Sequence, residues 1–276
     1  MKAIKIDMAD YVHAGEGANG ASYNHKTDPS IMLKLYNPGK IQQPLDEMIL
    51  ARKVFDTGIA TPEPGDYVTD GERYGIRFHR IVGKLSYARA VGENPDKTEL
   101  YAQEFAQMCK ELHAVHVDTS EFECVKDRYY RLLSENPFFT RQEKDKLVKF
   151  IADVPDCDTA IHGDLQFGNG IFVGDKRYFI DLGDFCWGNP LFDLGMVWLT
   201  CEFNQESFTK EAFHMDNATA SRFWKAFAPA YFGADRPLAD IEAELLPFVG
   251  LKTIIVERDT RRPMPEFRAA LKDILK

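Results

Sequence analysis

The chain has 276 residues, 45% hydrophobic and 28% charged, with a formal net charge of −9; that length suits two lobes, each with its own core. The acidic balance argues against nucleic acid as a partner, and with no membrane-spanning apolar run and no cleavable signal at Met1-Lys2-Ala3-Ile4-Lys5 the expected location is the cytoplasm, away from membrane. Five cysteines, at 109, 124, 157, 186 and 201, are widely spaced and never form Cys-x-x-Cys, which argues against a disulfide framework and a zinc site.

The first part, to about Gly83, is rich in strand and turn signals. Gly15-Glu16-Gly17-Ala18-Asn19-Gly20 spells Gly-x-Gly-x-x-Gly, and a dinucleotide-binding reading of it requires a helix to open at the third glycine. Ala21 to Lys26 is a poor helix start and Thr27-Asp28-Pro29-Ser30 reads as a turn, so a strand-loop-strand flap is expected, of a kind able to lie over phosphates. Ser30 to Tyr36 alternates as a strand, with Ile31, Leu33 and Leu35 on one face and Met32, Lys34 and Tyr36 on the other. Pro44 to Phe55 reads as a helix that Gly58 ends. Asp66 to Thr69 and Tyr74 to Ile81, around an Asp70-Gly71 turn, complete an antiparallel sheet.

From Leu85 onward the pattern is mainly helical, and the shift marks a lobe boundary. Asp96 to His116 is a long amphipathic helix, and Asp127 to Ser134 and Thr140 to Ala152 are further ones. His113 and His116 lie one helical turn apart, but with no acidic residue placed to complete a metal site they read as structural. Then come His162-Gly-Asp-Leu-Gln-Phe-Gly-Asn-Gly and two short strands, Gly170 to Val173 and Arg177 to Ile180, joined at Gly174-Asp175. This hairpin brings Asn169 and Asp181 towards one volume. Asp164, five residues before Asn169, can aim a carboxylate at a substrate hydroxyl while Asn169 and Asp181 hold a metal. The chain reaches Pro190 nine residues after Asp181 and enters a helix, Leu191 to Cys201. Beyond it lie the aromatic stretch Phe223 to Phe227, helices near Leu238 to Arg258 and Pro265 to Leu275, and a basic cluster of Arg258, Arg261 and Arg262 that reads as a solvated face.

His162-x-Asp164-Leu-x-x-x-Asn169, Ile180-Asp181 and Asn189-Pro190-Leu191-Phe192-Asp193 together resemble the aminoglycoside phosphotransferase and choline kinase group, relatives of protein kinases. The resemblance implies an α+β, bilobal, protein-kinase-like fold, with an N-terminal nucleotide-binding lobe over residues 1–83, a hinge at about 79–84, and a catalytic and substrate-binding lobe over 84–276. It implies an ATP- and Mg²⁺-dependent transfer of the γ-phosphoryl group to a hydroxyl of a small molecule. Asp164 is then the catalytic base, and Asn169 and Asp181 are the metal ligands. Gly15, Gly17 and Gly20 cover the phosphates, Lys34 pairs with them, and Glu47 braces Lys34, with Asp46 competing for that role. Met32 touches the adenine, whose edge the backbone around His79 and Ile81 reads, while His162 and Asp193 support the catalytic loop. Protein kinases carry Arg beside the catalytic Asp and a long activation segment. Here Gly163 and a short connection stand instead, which points to a small-molecule acceptor. A nucleotide-binding pseudokinase and a protein kinase remain the alternatives, and the acceptor's identity and the oligomeric state stay open.

Overall fold

The structure, a computed structural model, describes residues 1–17 and 19–276, so Ala18 of the glycine-rich stretch lies outside the described residues. The chain is bilobal and α+β, and divides into two compact units: Met1–Leu85 with Ile171–Gly183, and Ser86–Gly170 with Asp184–Lys276.

The first unit is built on a sheet of β1 (Ile4–Lys5), β2 (Tyr11–Gly17), β3 (Gly20–His25), β4 (Ile31–Tyr36), β5 (Pro64–Thr69) and β6 (Tyr74–His79), with one helix, α1 (Gln42–Asp56), between β4 and β5. The six strands lie in the order β1-β5-β6-β4-β3-β2. All pairs are antiparallel except β1 with β5, which run parallel. Two residues are too few to show alternation, which is why β1 leaves no sequence signal. The alternation of β4 buries Leu33 and Leu35 against Ile6, Tyr11 and Val68 on one face. On the other face Tyr36 packs with Met48 of α1, Tyr67 and Ile76, so the strand carrying Lys34 is fixed from both sides.

Two glycines let the neighbouring strands close on β4. A Cβ at Gly20 of β3 would stand 2.0 Å from the carbonyl oxygen of Leu35, and one at Gly75 of β6 would stand 2.1 Å from that of Lys34. Neither site has room for any side chain.

The second unit opens where β7 (Leu85–Ser86) meets α2 (Tyr87–Glu93), capped by the Ser86 hydroxyl, which accepts from Arg89 N–H. It continues through α3 (Thr98–His113), α4 (Val125–Glu135), α5 (Arg141–Asp153) and β8 (Ala160–Ile161). The hairpin of β9 (Gly170–Val173) and β10 (Lys176–Phe179) follows and belongs almost wholly to the first unit, where Phe179 N–H donates to Ala60 C=O at 2.8 Å. The chain then passes β11 (Cys186–Trp187), α6 (Leu191–Glu202), α7 (Glu206–Phe213), α8 (Asn217–Phe232), α9 (Leu238–Thr260), α10 (Pro265–Arg268) and α11 (Lys272–Leu275). Thr140 and Glu143 form a reciprocal capping box that starts α5. The core is shared by α4, α5, α6 and α9, through residues such as Tyr129, Leu147, Phe192, Leu251 and Ile254.

Element ends differ from the sequence reading where local chemistry intervenes. Pro95-Asp96-Lys97 forms a 3-10 turn, which delays α3 to Thr98. His116 leaves the helix and bridges to Thr159. The single helix expected over Pro265 to Leu275 is broken by a 3-10 turn at Ala269–Leu271. All five cysteines are free thiols, and among the described residues no helix is long and apolar enough to cross a membrane.

The close approach at Gly75 has a measurable cost. Gly75→Ala is expected to destabilise the protein by roughly 1–3 kcal/mol through overpacking against β4, read by denaturant unfolding. Unchanged stability would contradict the strand spacing described.

Candidate active site

The two units each gather part of the residues singled out from the sequence. In the first, Lys34 of β4 points to the α1 face of the sheet. Its ammonium donates to Glu47 Oε1 at 2.7 Å and to Asp181 Oδ1 at 3.1 Å. Tyr36, two residues on and on the same face, donates its hydroxyl to the second oxygen of Glu47, and the Lys34 ammonium lies 5.2 Å from the centre of the Tyr36 ring. Asp46 is directed elsewhere: it accepts from Gln42 one turn back, at 2.6 Å. Burial of the Lys34 ammonium opposes its charge most strongly, but the Asp181 and Glu47 carboxylates outweigh that and hold its pKa above the ordinary lysine value.

Asp181 has a left-handed backbone, φ 61°, an unusual conformation for a non-glycine residue and one that Asp adopts more readily than most. Its side chain remains 56% exposed despite the contact with Lys34. Gly183 follows closely, and a Cβ there would meet Glu47 Oε2 at 3.3 Å.

Gly15, Gly17 and Gly20 lie on the β2–β3 hairpin, with Gly17 opposite Gly20 and a bulge between His13 and Gly15. Met32 shares the Lys34 face of β4, opposite Phe78 of β6. The backbone of His79 donates to Glu63 C=O at 2.8 Å, and Ile81 follows just beyond the end of β6.

In the second unit the segment from His162 to Asn169 is held at both ends. Pairing of Ile161 with Cys186 and of Ala160 with Trp187 ties β8 to β11. Leu165 and Phe167 are wholly buried, with the Phe167 ring 4.7 Å from Phe213 and 5.0 Å from Phe223. Between these anchors Asp164 remains partly exposed. The Asn169 amide nitrogen donates to the Asp164 carbonyl at 2.9 Å and to its carboxylate at 3.3 Å. That leaves the Asn169 amide oxygen as the atom suited to a cation, a hard donor of the type Mg²⁺ takes.

The start of the segment is fixed by Asp193, in the first turn of α6 and fully buried. Its two oxygens accept the N–H of His162 at 2.7 Å and of Gly163 at 2.9 Å. His113 Nε2 lies 3.2 Å from the same carboxylate, and its Nδ1 lies 2.8 Å from the Tyr231 hydroxyl. Burial pushes the Asp193 pKa up, but the hydrogen bond and charge of His113, with His162 and Lys252, overcome this and leave it below the ordinary carboxylate value. His113 and His116 thus serve separate partners, since His116 pairs with Asp158 at 2.7 Å. Gly163 has φ 86°, and a Cβ there would sit 2.0 Å from the carbonyl oxygen of Asp184, so no side chain fits beside Asp164 at this point.

Two residues of this region carry no sequence signal. Arg128 of α4 pairs with Glu123 at 2.8 Å and donates to the carbonyls of Asp184 and Phe185. Lys252 of α9 is buried and donates to Gly163 C=O at 3.2 Å. Both act on backbone oxygens, for which no side-chain pattern exists. Trp198 and Trp224 are buried and stacked at 5.7 Å, so they belong to the core. Among the described residues no three His, Cys, Asp or Glu side chains gather as a metal site.

The sequence model of the phosphotransferase enzyme family matches residues 12–227. Among curated proteins, none matches the chain in sequence. Similar solved structures include an aminoglycoside phosphotransferase, APH(4)-Ia, in a ternary complex with ADP and hygromycin B, with a TM-score of 0.65 at 13% identity over 97% of this chain and 93% of that one. The amicoumacin kinase hAmiN in complex with AMP-PNP and Ca²⁺ is similar with a TM-score of 0.57 at 15% identity, over 99% and 89% of the two chains. A choline/ethanolamine kinase family protein from Mesorhizobium loti follows, with a TM-score of 0.52 at 15% identity, over 96% and 85%.

The depressed pKa of Asp193 makes its contribution to stability pH-dependent. The contribution is present above the unfolded carboxyl value of about 3.9 and is lost as pH falls through the lower folded value. Asp193→Asn is therefore expected to lose roughly 3 kcal/mol at neutral pH, with the gap to the wild type shrinking below about pH 3.9. Denaturant titrations across that range decide it; a gap independent of pH would contradict the brace.

Proposed function

Because the chain belongs to the phosphotransferase enzyme family, we propose that it transfers the γ-phosphoryl group of ATP to a hydroxyl of a small molecule, an aminoglycoside, choline or sugar-like acceptor. The observation that carries this reading is the convergence on one ammonium, that of Lys34, of Glu47 from thirteen residues away and Asp181 from 147 residues away. A lysine held charged and aimed by two carboxylates is the group a nucleotide phosphate requires.

Each residue then has a defined task. Lys34 binds phosphate oxygens while Glu47, itself held by Tyr36, keeps the ammonium in place. The glycine hairpin, through Gly15, Gly17 and Gly20, covers the phosphates with backbone N–H groups. Met32 packs on the adenine, and the backbone near His79 and Ile81 reads its edge. Asp164 orients the acceptor hydroxyl and takes its proton, and Asn169 keeps the Asp164 carboxylate in place by its amide hydrogen bond. The Asn169 amide oxygen and the Asp181 carboxylate suit Mg²⁺, which when bound offsets phosphate charge. Residues 1–83 act as the nucleotide-binding lobe, with a hinge at about 79–84, and 84–276 as the catalytic and acceptor-binding lobe. The cytoplasm, where ATP is available, is the proposed location.

Two observations favour a small acceptor over a protein. The Asp184 carbonyl occupies the space a side chain at Gly163 would need, so the arginine that protein kinases use there has no place. The connection from Asp181 to the start of α6 at Leu191 is also short, which suits the absence of a peptide platform. Antibiotic kinases among the similar structures, one in complex with hygromycin B and one acting on amicoumacin, are compatible with that class.

Substitution separates chemistry from binding. Asp164→Asn is expected to lower transfer roughly a hundredfold or more while Mg-ATP affinity changes little. Asp181→Asn is expected to lower both transfer and the magnesium-dependent part of ATP binding. Calorimetric titration with and without Mg²⁺, alongside turnover, distinguishes them. Full activity in Asp164→Asn would overturn the assignment, and ATP binding without transfer in the wild type would favour a pseudokinase.

A further inference from the structure

One buried cation of the second unit has no task in the reaction as described. Lys252 lies in the middle of α9, 4% exposed, beside the fully buried Leu251 and Ile254. An ammonium removed from water persists only where its surroundings compensate it. Here Nζ donates to Gly163 C=O at 3.2 Å and stands 6.0 Å from the centre of the Tyr129 ring. Burial opposes its charge most strongly, but Tyr129 of α4, Asp193 of α6 and Asp164 outweigh it and hold the pKa above the ordinary lysine value. The Cys186 thiol of β11 also feels its charge.

The place where Lys252 takes hold is what gives it meaning. The Gly163 carbonyl and the Asp164 N–H belong to one planar peptide group. Lys252 holds the oxygen side of that plane, and His162 Nδ1 accepts the N–H side at 3.3 Å. The two preceding N–H groups, of His162 and Gly163, are taken by Asp193. Successive peptide groups leading into Asp164 are thus gripped by an anion from α6 and a cation from α9. Because Gly163 carries no side chain and has φ 86°, nothing in its own structure would otherwise fix that plane.

We propose that Lys252 is a positioning residue for phosphoryl transfer, its ammonium locking the Gly163–Asp164 peptide plane and so aiming the Asp164 carboxylate at the acceptor hydroxyl. The inference rests on Asp164 being the base. Lys252→Met keeps the length of the side chain and removes both donor and charge, whereas Lys252→Arg keeps the charge on a differently shaped donor. Both are compared with the wild type for kcat and KM, thermal stability, and hydrogen exchange of the amides of residues 162–164.

Lys252→Met is expected to lose roughly 10- to 100-fold in kcat, the cost of a misaimed group, with KM for ATP within about twofold. Exchange at the Asp164 amide should accelerate, and Lys252→Arg should recover part of the lost turnover. A packing role predicts instead lower thermal stability with unchanged kcat per folded molecule, and that result, or unchanged exchange, would overturn the inference. Should the Met variant fail to fold, the Arg variant decides: reduced kcat at unchanged KM supports the role, and wild-type kcat refutes it. A wild type that transfers phosphate to no acceptor would sink the phosphotransferase reading itself. The exchange comparison needs no turnover and would still judge the grip of Lys252 on the loop.

Discussion

The carboxylate of Asp193 is the constraint around which the second unit is arranged. A fully buried anion needs hydrogen-bond donors, and it finds them in the N–H groups of His162 and Gly163 and in His113. Meeting that demand ties the segment before Asp164 to the first turn of α6, where the helix dipole also favours negative charge. It ties α3 to the same point through His113, and α8 through Tyr231. Gly163 can accept this arrangement only because it has no side chain where the Asp184 carbonyl passes. The loop is therefore fixed by the core of its unit, and Asp164 inherits that rigidity.

The first unit solves a related problem with the opposite charge. Lys34 stands on a strand whose neighbours approach closely at Gly20 and Gly75, so its backbone has little freedom. Its ammonium is then shared between one well-shielded carboxylate, Glu47, and one more exposed carboxylate, Asp181. The two partners differ in what they can do. Glu47 is further committed to the Tyr36 hydroxyl and acts as a fixed support, while Asp181, on a left-handed backbone, keeps more than half of its side chain exposed.

Much of this was legible in the order of residues, because the features involved are local or carry side-chain chemistry. The alternation of Ser30 to Tyr36 placed Lys34 opposite Leu33 and Leu35, and the hairpin after Asn169 followed from its strand and turn residues. The sequence names Glu47 with Asp46 competing, since both are carboxylates in one helical turn. Helix phase decides between them, sending Asp46 to Gln42. Lys252 and Arg128 were invisible for a different reason. The backbone carbonyls they hold lie 89 and 56 residues away, and in the sequence Lys252 is the one charge in the otherwise uncharged stretch from Leu245 to Val256. Strand β1 was too short to show a period.

The central claim is that the acceptor is a small molecule and that ATP supplies the phosphoryl group. It is tested most directly by incubating the protein with Mg²⁺ and ATP labelled in the γ-phosphate, together with a panel of aminoglycosides, macrolides, choline and amino sugars, and then separating small molecules from protein. The account predicts label in one or more low-molecular-weight acceptors, lost in Asp164→Asn. Label confined to protein, or ATP bound and never consumed, would contradict it.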